Sequence, residues 1–183
     1  MNADEERFEK AWKEFCGLYH KFGGRGKNEK WGGHFRVESD IVFHLAKLAD
    51  REFGTGFVHI NSTVSPFYFD NFKKRKQHVD IDITDPEKFS GPINTKHGIF
   101  VEVKWIAKDF RLFKYGNRDK DKIEAIQKDM DKLSDNKKNG RCEIAYMCII
   151  DDENVIKDEQ ITEWRKNFPE VNVLVCPHSR GVH

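Results

Sequence analysis

The stretch HGIFVEVKWIAK, His97–Lys108, decides how the rest of the chain is read. Phe100, Val101, Val103, Trp105 and Ile106 mark it as a strand beside a core, yet Glu102 and Lys104 stand in its middle. Alternation along a strand puts those two on one face. Burying a charge is costly unless it is paired or bound to something. A carboxylate and an ammonium two residues apart therefore need partners.

Upstream, HVDIDITDP reads as a second strand, with Val79, Ile81 and Ile83 facing one way and His78, Asp80, Asp82 and Thr84 the other. If the two strands are neighbours in a meander, Asp80, Asp82, Glu102 and Lys104 converge on one patch. Carboxylates held together repel, and their pKa values rise unless a cation neutralises them. A hard divalent ion such as Mg²⁺ takes oxygen ligands at about 2.0–2.1 Å, keeps several waters and also binds phosphate oxygens. The chemistry that suits such a cluster is phosphodiester hydrolysis. The ion lowers the pKa of a bound water and neutralises charge in the transition state. Lys104 can orient the attacking hydroxide or stabilise developing negative charge. The competing reading is a solvated face, where cross-strand ion pairs contribute about 0.2–1 kcal/mol each.

Working outward, Phe8, Trp12, Phe15 and Tyr19 recur at helical spacing over residues 4–20. The Gly-rich FGGRGKNEKWGG after them is no P-loop, because Lys27 precedes Asn28 rather than Ser or Thr and no hydrophobic strand leads into it. It leaves Arg25 and Lys27 to touch a polyanion. Val37, Ile41, Leu45 and Leu48 stripe a second helix that Gly54 stops. GFVHINSTVSP is a strand ended by Pro66, and Asp85–Lys96, with two prolines and a glycine, is a long connection. KIEAIQKDMDKLSDNKKNG is a helix with Ile123, Ile126, Met130 and Leu133 inward. CEIAYMCII reads as a buried strand, ITEWRKNFP as a short helix and VNVLVCP as a final strand. The order is α, α, β, β, β, α, β, α, β. It predicts an α/β domain: an antiparallel meander extended by parallel strands into a mixed central sheet flanked by helices.

With 183 residues the chain can bury one substantial core, and its net charge of +1 points to no polyanion partner by itself. Affinity for nucleic acid has to come from local patches. Lys73, Lys74, Arg75 and Lys76 form one, interleaved with Phe67, Tyr68, Phe69 and Phe72, which can stack on bases or belong to the core. Cys16, Cys142, Cys148 and Cys176 show neither CxxC pairing nor zinc-ligand spacing, so reduced thiols are expected. The opening MNADEERFEKAWKEF lacks the apolar stretch of a signal peptide, and no apolar run approaches the ~18 residues of a membrane span. The expected location is cytoplasmic, with no membrane partner.

A strand Asp, a loop, then Glu102-Val103-Lys104 on an apolar strand resembles the PD-(D/E)xK nuclease superfamily, which has the restriction-endonuclease-like fold. The other acid-x-Lys triplet, Asp135-Asn136-Lys137, falls at a polar helix end. The resemblance covers about Val37 to Cys176 and implies an αβββαβ core (37–176). An extra N-terminal helix and Gly-rich connector (1–36) precede it, and an α-β addition ends it, all in one domain, 1–183. It implies Asp80 and Glu102 as metal ligands, with the Val103 carbonyl beside them, and Lys104 as catalytic base or stabiliser. Glu38 is the helix acid of the metal shell. Asp82 fits the strand position as well, although Asp80 is preferred because apolar strand residues usually follow the family Asp. Val79 stands where the motif's Pro would be. Gln127 lies on the following helix, where some members contact nucleic acid. The resemblance implies an Mg²⁺- or Mn²⁺-dependent endonuclease acting on double-stranded DNA, as a homodimer if both strands are cut. The other class of function is a nucleic-acid-binding or protein-interaction module that keeps the fold without catalysis.

Overall fold

The structure is a computed structural model and describes residues 2–23, 38–64, 77–84, 97–106 and 118–176. Helix α1, Ala3–Leu18, starts from a capping box in which Asn2 and Glu5 exchange side-chain-to-backbone hydrogen bonds of 2.8 Å each. It runs on into a π-helical turn, Tyr19–Gly23. Phe8, Trp12, Phe15 and Tyr19 are all buried, as their spacing predicts. Helix α2, Glu38–Phe53, buries Ile41, Val42, Leu45, Ala46 and Ala49. Gly54 ends it in the left-handed region, at φ 100°, with its N–H donated to Asp50 O.

Five strands follow the predicted order: β1 Val58–Val64, β2 Gln77–Ile83, β3 His97–Ile106, β4 Cys142–Asp151 and β5 Asn172–Cys176. Helix α3, Arg118–Lys138, joins β3 to β4, and α4, Asp158–Asn167, joins β4 to β5. The sheet is mixed and runs β1-β2-β3-β4-β5. Its β1–β2 and β2–β3 pairs are antiparallel, and its β3–β4 and β4–β5 pairs parallel. Strand β3 is thus the seam where the sheet changes direction. Strand β4 is buried along almost its whole length, which is why its sequence lacks alternation.

Two apolar layers cover the sheet. Ile99, Val101 and Val103 face Phe8, Phe15, Ile41 and Leu45 of α1 and α2. Phe100 and Ile106 face Ile126, Met130 and Leu133 of α3 and Trp164 of α4. Helix α1 is no appendage, since its aromatic residues share a layer with α2 and the sheet. Among the described residues no helix is long and apolar enough to cross a membrane.

One expectation fails. Val79, Ile81 and Ile83 do not face the same way: Ile81 and Ile83 pack with α1 and α2, whereas Val79 packs with α3. The alternation breaks at Asp80. On the facing strand β1, Asn61 adopts φ 53°, and the ladder passes from Ile60–Ile81 to Ser62–Val79 without pairing Asn61 and Asp80. Asparagine is among the few residues that tolerate this left-handed backbone.

At the other end of the β2–β3 pair the strands press together. A Cβ on Gly98 would lie 2.5 Å from the Ile83 carbonyl oxygen, closer than van der Waals contact permits. Gly98→Ala therefore has to push β2 from β3. It is expected to cost about 1–3 kcal/mol, as core overpacking does, measured by urea denaturation against the parent chain.

Candidate functional site

Pairing between β2 and β3 covers only Ile81–Ile83 against Ile99–Val101. Beyond it the strands part, and β3 continues with one edge unclaimed by β2. Alternate residues of a strand aim their backbone groups at the same edge. Val103 and Trp105 are the next two such residues, and two carboxylates take their N–H groups. Asp80 Oδ2 accepts from Val103 N at 2.8 Å, and Glu38 Oε2 accepts from Trp105 N at 3.0 Å. Buried backbone donors have to be satisfied, so this opening in the sheet fixes where Asp80 and Glu38 must sit. Each carboxylate spends one oxygen on the backbone, which leaves Asp80 Oδ1 and Glu38 Oε1 for other partners. Val103 presents its carbonyl to the same edge as its N–H.

The side chains of Glu102 and Lys104 project toward α3. Lys104 Nζ lies 2.8 Å from Asp129 Oδ2 and 3.8 Å from Glu38 Oε1. Glu102 is 3% exposed. Its Oε1 lies 2.6 Å from Lys132 Nζ, a close ionic contact that lacks hydrogen-bond alignment, so this buried oxygen has no hydrogen-bond partner. Lys132 also approaches Asp129 Oδ1 at 3.2 Å and donates to His78 O at 2.9 Å. The cluster thus holds the carboxylates of Glu38, Asp80, Glu102 and Asp129 against the ammonium groups of Lys104 and Lys132. With all of them ionised, it carries a formal charge of two minus.

That imbalance appears in the titration of its members. Burial, reinforced by Asp80 and only partly opposed by Lys132, pushes the Glu102 carboxyl up to about 8. Partial burial likewise raises Glu38, against Lys104 and the Trp105 N–H, although its side chain is 42% exposed and screened by water. Burial acts to lower Lys104, but Glu38, Asp129 and Asp80 outweigh it and hold the ammonium above its ordinary value. Lys104 is therefore a permanent cation at neutral pH.

Asp82 sits in a different group. It is 0% exposed and accepts from Ser62 Oγ and Thr84 Oγ1, with His97 Nδ1 2.8 Å from its Oδ2. Those contacts tie β1, β2 and β3 together at the closed end of the β2–β3 pair. The expectation that Asp80 and Asp82 share a patch is corrected by the break in alternation: Asp80 serves β3 beyond Val101, and Asp82 serves the ladder before it. Gln127 is half-buried on α3. Lys73, Lys74, Arg75, Lys76, Arg25 and Lys27, with the aromatic residues among them, lie outside the described residues.

Sequence reasoning missed Asp129 and Lys132. They lie beside Met130 and Leu133, at the margin of the apolar stripe of α3. A polar pair at that margin, on the helix that follows the Glu-x-Lys strand, was the available signal. It also missed the anchor beneath the site. Trp105 Nε1 donates to Tyr19 Oη at 2.8 Å and to Asp152 Oδ2 at 3.0 Å, and Tyr19 Oη donates to Asp152 Oδ2 at 2.6 Å. This ring of contacts pins the end of β3 to the turn after α1.

Among the described residues no three His, Cys, Asp or Glu side chains form a ready-made metal cage. Mg²⁺ seldom uses one, because one or two carboxylates with water and phosphate oxygens suffice. Asp80 and Glu102, with the Val103 carbonyl edge, offer that donor set. The unsatisfied Glu102 oxygen and the surplus negative charge are the features a divalent cation would relieve.

Glu102 supplies a pH test. Its folded pKa lies above its ordinary 4.5, so its stabilising contribution is complete below about pH 4.5 and is lost as pH rises through about 8. Glu102→Gln cannot ionise. It is expected to melt close to the parent at about pH 5 and well above it at about pH 9, a difference on the order of a few kcal/mol. Thermal denaturation in EDTA at the two pH values measures this, and equal shifts at both would contradict the assignment.

Comparison with family models, with curated proteins and with solved structures finds no match for this chain, so what the site does has to be argued from its own geometry.

Proposed function

We propose that the chain is a metal-dependent nuclease that hydrolyses phosphodiester bonds in double-stranded DNA, of the PD-(D/E)xK kind. The observation that carries this reading is the opening between β2 and β3. There Asp80 and Glu38 are seated on successive N–H groups of β3, with Glu102 and Lys104 on the same stretch of strand. The chain order α2-β1-β2-β3-α3-β4 is compatible with the αβββαβ core, with α1 before it and α4-β5 after it.

A bound Mg²⁺ or Mn²⁺ would supply Lewis acidity and a water of lowered pKa. Asp80, Glu102 and the Val103 carbonyl would hold it, and Glu38 would reach it from the start of α2. Lys104 acts as a fixed cation. Its three neighbouring acids favour its charged form, which suits orienting the nucleophile and stabilising charge on the phosphate. Of the two roles open to it, base or stabiliser, the second is the one its surroundings favour. Asp129 positions the Lys104 ammonium from α3. The basic run Lys73–Lys76, with Arg25 and Lys27, would contact the phosphate backbone, and cutting both strands would require two copies of the chain.

A second reading has a specific observation in its favour. Lys132 and Lys104 already pair with Glu102 and Asp129, so the cluster is partly compensated without a metal. A non-catalytic nucleic-acid-binding module would show that compensation as well.

Plasmid nicking separates the two. The parent chain is expected to nick supercoiled DNA with Mg²⁺ or Mn²⁺ and to stop in EDTA. Asp80→Ala and Lys104→Ala, checked for unchanged folding by circular dichroism, should each lose at least about 10²-fold in rate. Activity that is equal in all three chains and insensitive to EDTA would remove the enzyme reading.

A further inference from the structure

We infer that Lys132 is a placeholder cation: it occupies the metal's position on Glu102 and withdraws to Asp129 and the His78 carbonyl when a divalent ion binds. This rests on the metal-dependent reading above and adds a residue and a step to it. Three observations support it.

The first is the quality of the Glu102–Lys132 contact. The two atoms are 2.6 Å apart, and the Glu102 oxygen is sealed from water with Lys132 as its one donor among the described residues. A permanent buried ion pair needs well-aligned hydrogen bonds to offset desolvation. This one rests on a single lysine contact to one oxygen, as expected of a partner that can be exchanged.

The second is that Lys132 has somewhere to go. Its ammonium already lies 3.2 Å from Asp129 Oδ1 and 2.9 Å from His78 O. Leaving Glu102 costs it one oxygen of three, and a small rotation on its flexible stem suffices. A lysine ammonium is a compact point charge with rotatable donors, suited to such a move.

The third is charge. With Glu102 ionised, four carboxylates face two ammonium groups, so the cluster has room for a divalent cation without expelling either lysine from the site. Asp129 receives the two lysines on separate oxygens: Lys104 on Oδ2 and Lys132 on Oδ1. Lys132 then stays beside the metal as a second positive group for a bound phosphate.

The test is lysine footprinting on the full chain. The protein is acetylated briefly with an N-hydroxysuccinimide ester, with and without Mg²⁺, and labelling at Lys132 is read by peptide mass spectrometry. Calorimetry on the same samples records Mg²⁺ binding. Lys132 labelling is expected to rise severalfold with Mg²⁺ in the parent chain and to stay flat in Asp80→Ala, which cannot bind the ion. Mg²⁺ binding that depends on Asp80 but leaves Lys132 labelling unchanged or lowered would overturn the placeholder role and leave the metal site standing. Absence of any Asp80-dependent Mg²⁺ binding would remove the metal reading itself, and the displacement with it.

Discussion

The site exists because β2 stops pairing with β3 after Val101. A strand that runs on past its neighbour exposes backbone donors on one edge, and inside a protein those donors must find acceptors. Here the acceptors are the carboxylates of Asp80 and Glu38. One requirement of the backbone thus draws together acids from β2 and from the start of α2, residues that are 42 positions apart in the chain. Closing the opening with two more residues of ladder would satisfy the same donors and leave the two acids no reason to gather there. On the other side of β2, the β1–β2 ladder also skips a pair here, where Asn61 of β1 takes a left-handed backbone level with Asp80.

The gathering of acids has an electrostatic consequence that spreads outward. Glu102 is forced toward its neutral form, Lys104 is held in its charged form, and α3 contributes one acid and one base that pair with the strand's charges without changing the net surplus. The polar pair on α3 therefore belongs to the site as much as the strand residues do, although it lies at the margin of the apolar stripe of Ile126, Met130 and Leu133 on that crossover helix.

Much of this is legible in the sequence. The nine elements and their order follow from periodicity and turn residues, and β3 is marked by the two charges that break its apolar run. Glu38 comes through a family resemblance rather than through any pattern of its own, since an acid in the first turn of a helix is common for reasons of dipole alone. The features that escape a sequence reading depend on tertiary register. Asp80 and Asp82 are indistinguishable by alternation, and only the break in alternation at Asp80 sends them to different partners. Asp129 and Lys132 read as a solvated helix margin until α3 is laid across β3.

Trp105 carries a further implication. Its indole is held by Tyr19, from the turn after the first helix, and by Asp152, at the end of the fourth strand. During synthesis on the ribosome, Glu38, Asp80, Glu102 and Lys104 all emerge well before Asp129, Lys132 and Asp152. The strand that bears Lys104 consequently lacks the Asp152 half of its tether, and its partners on α3, until most of the chain has been made. The order of the residues alone thus delays completion of this charged cluster until late in synthesis.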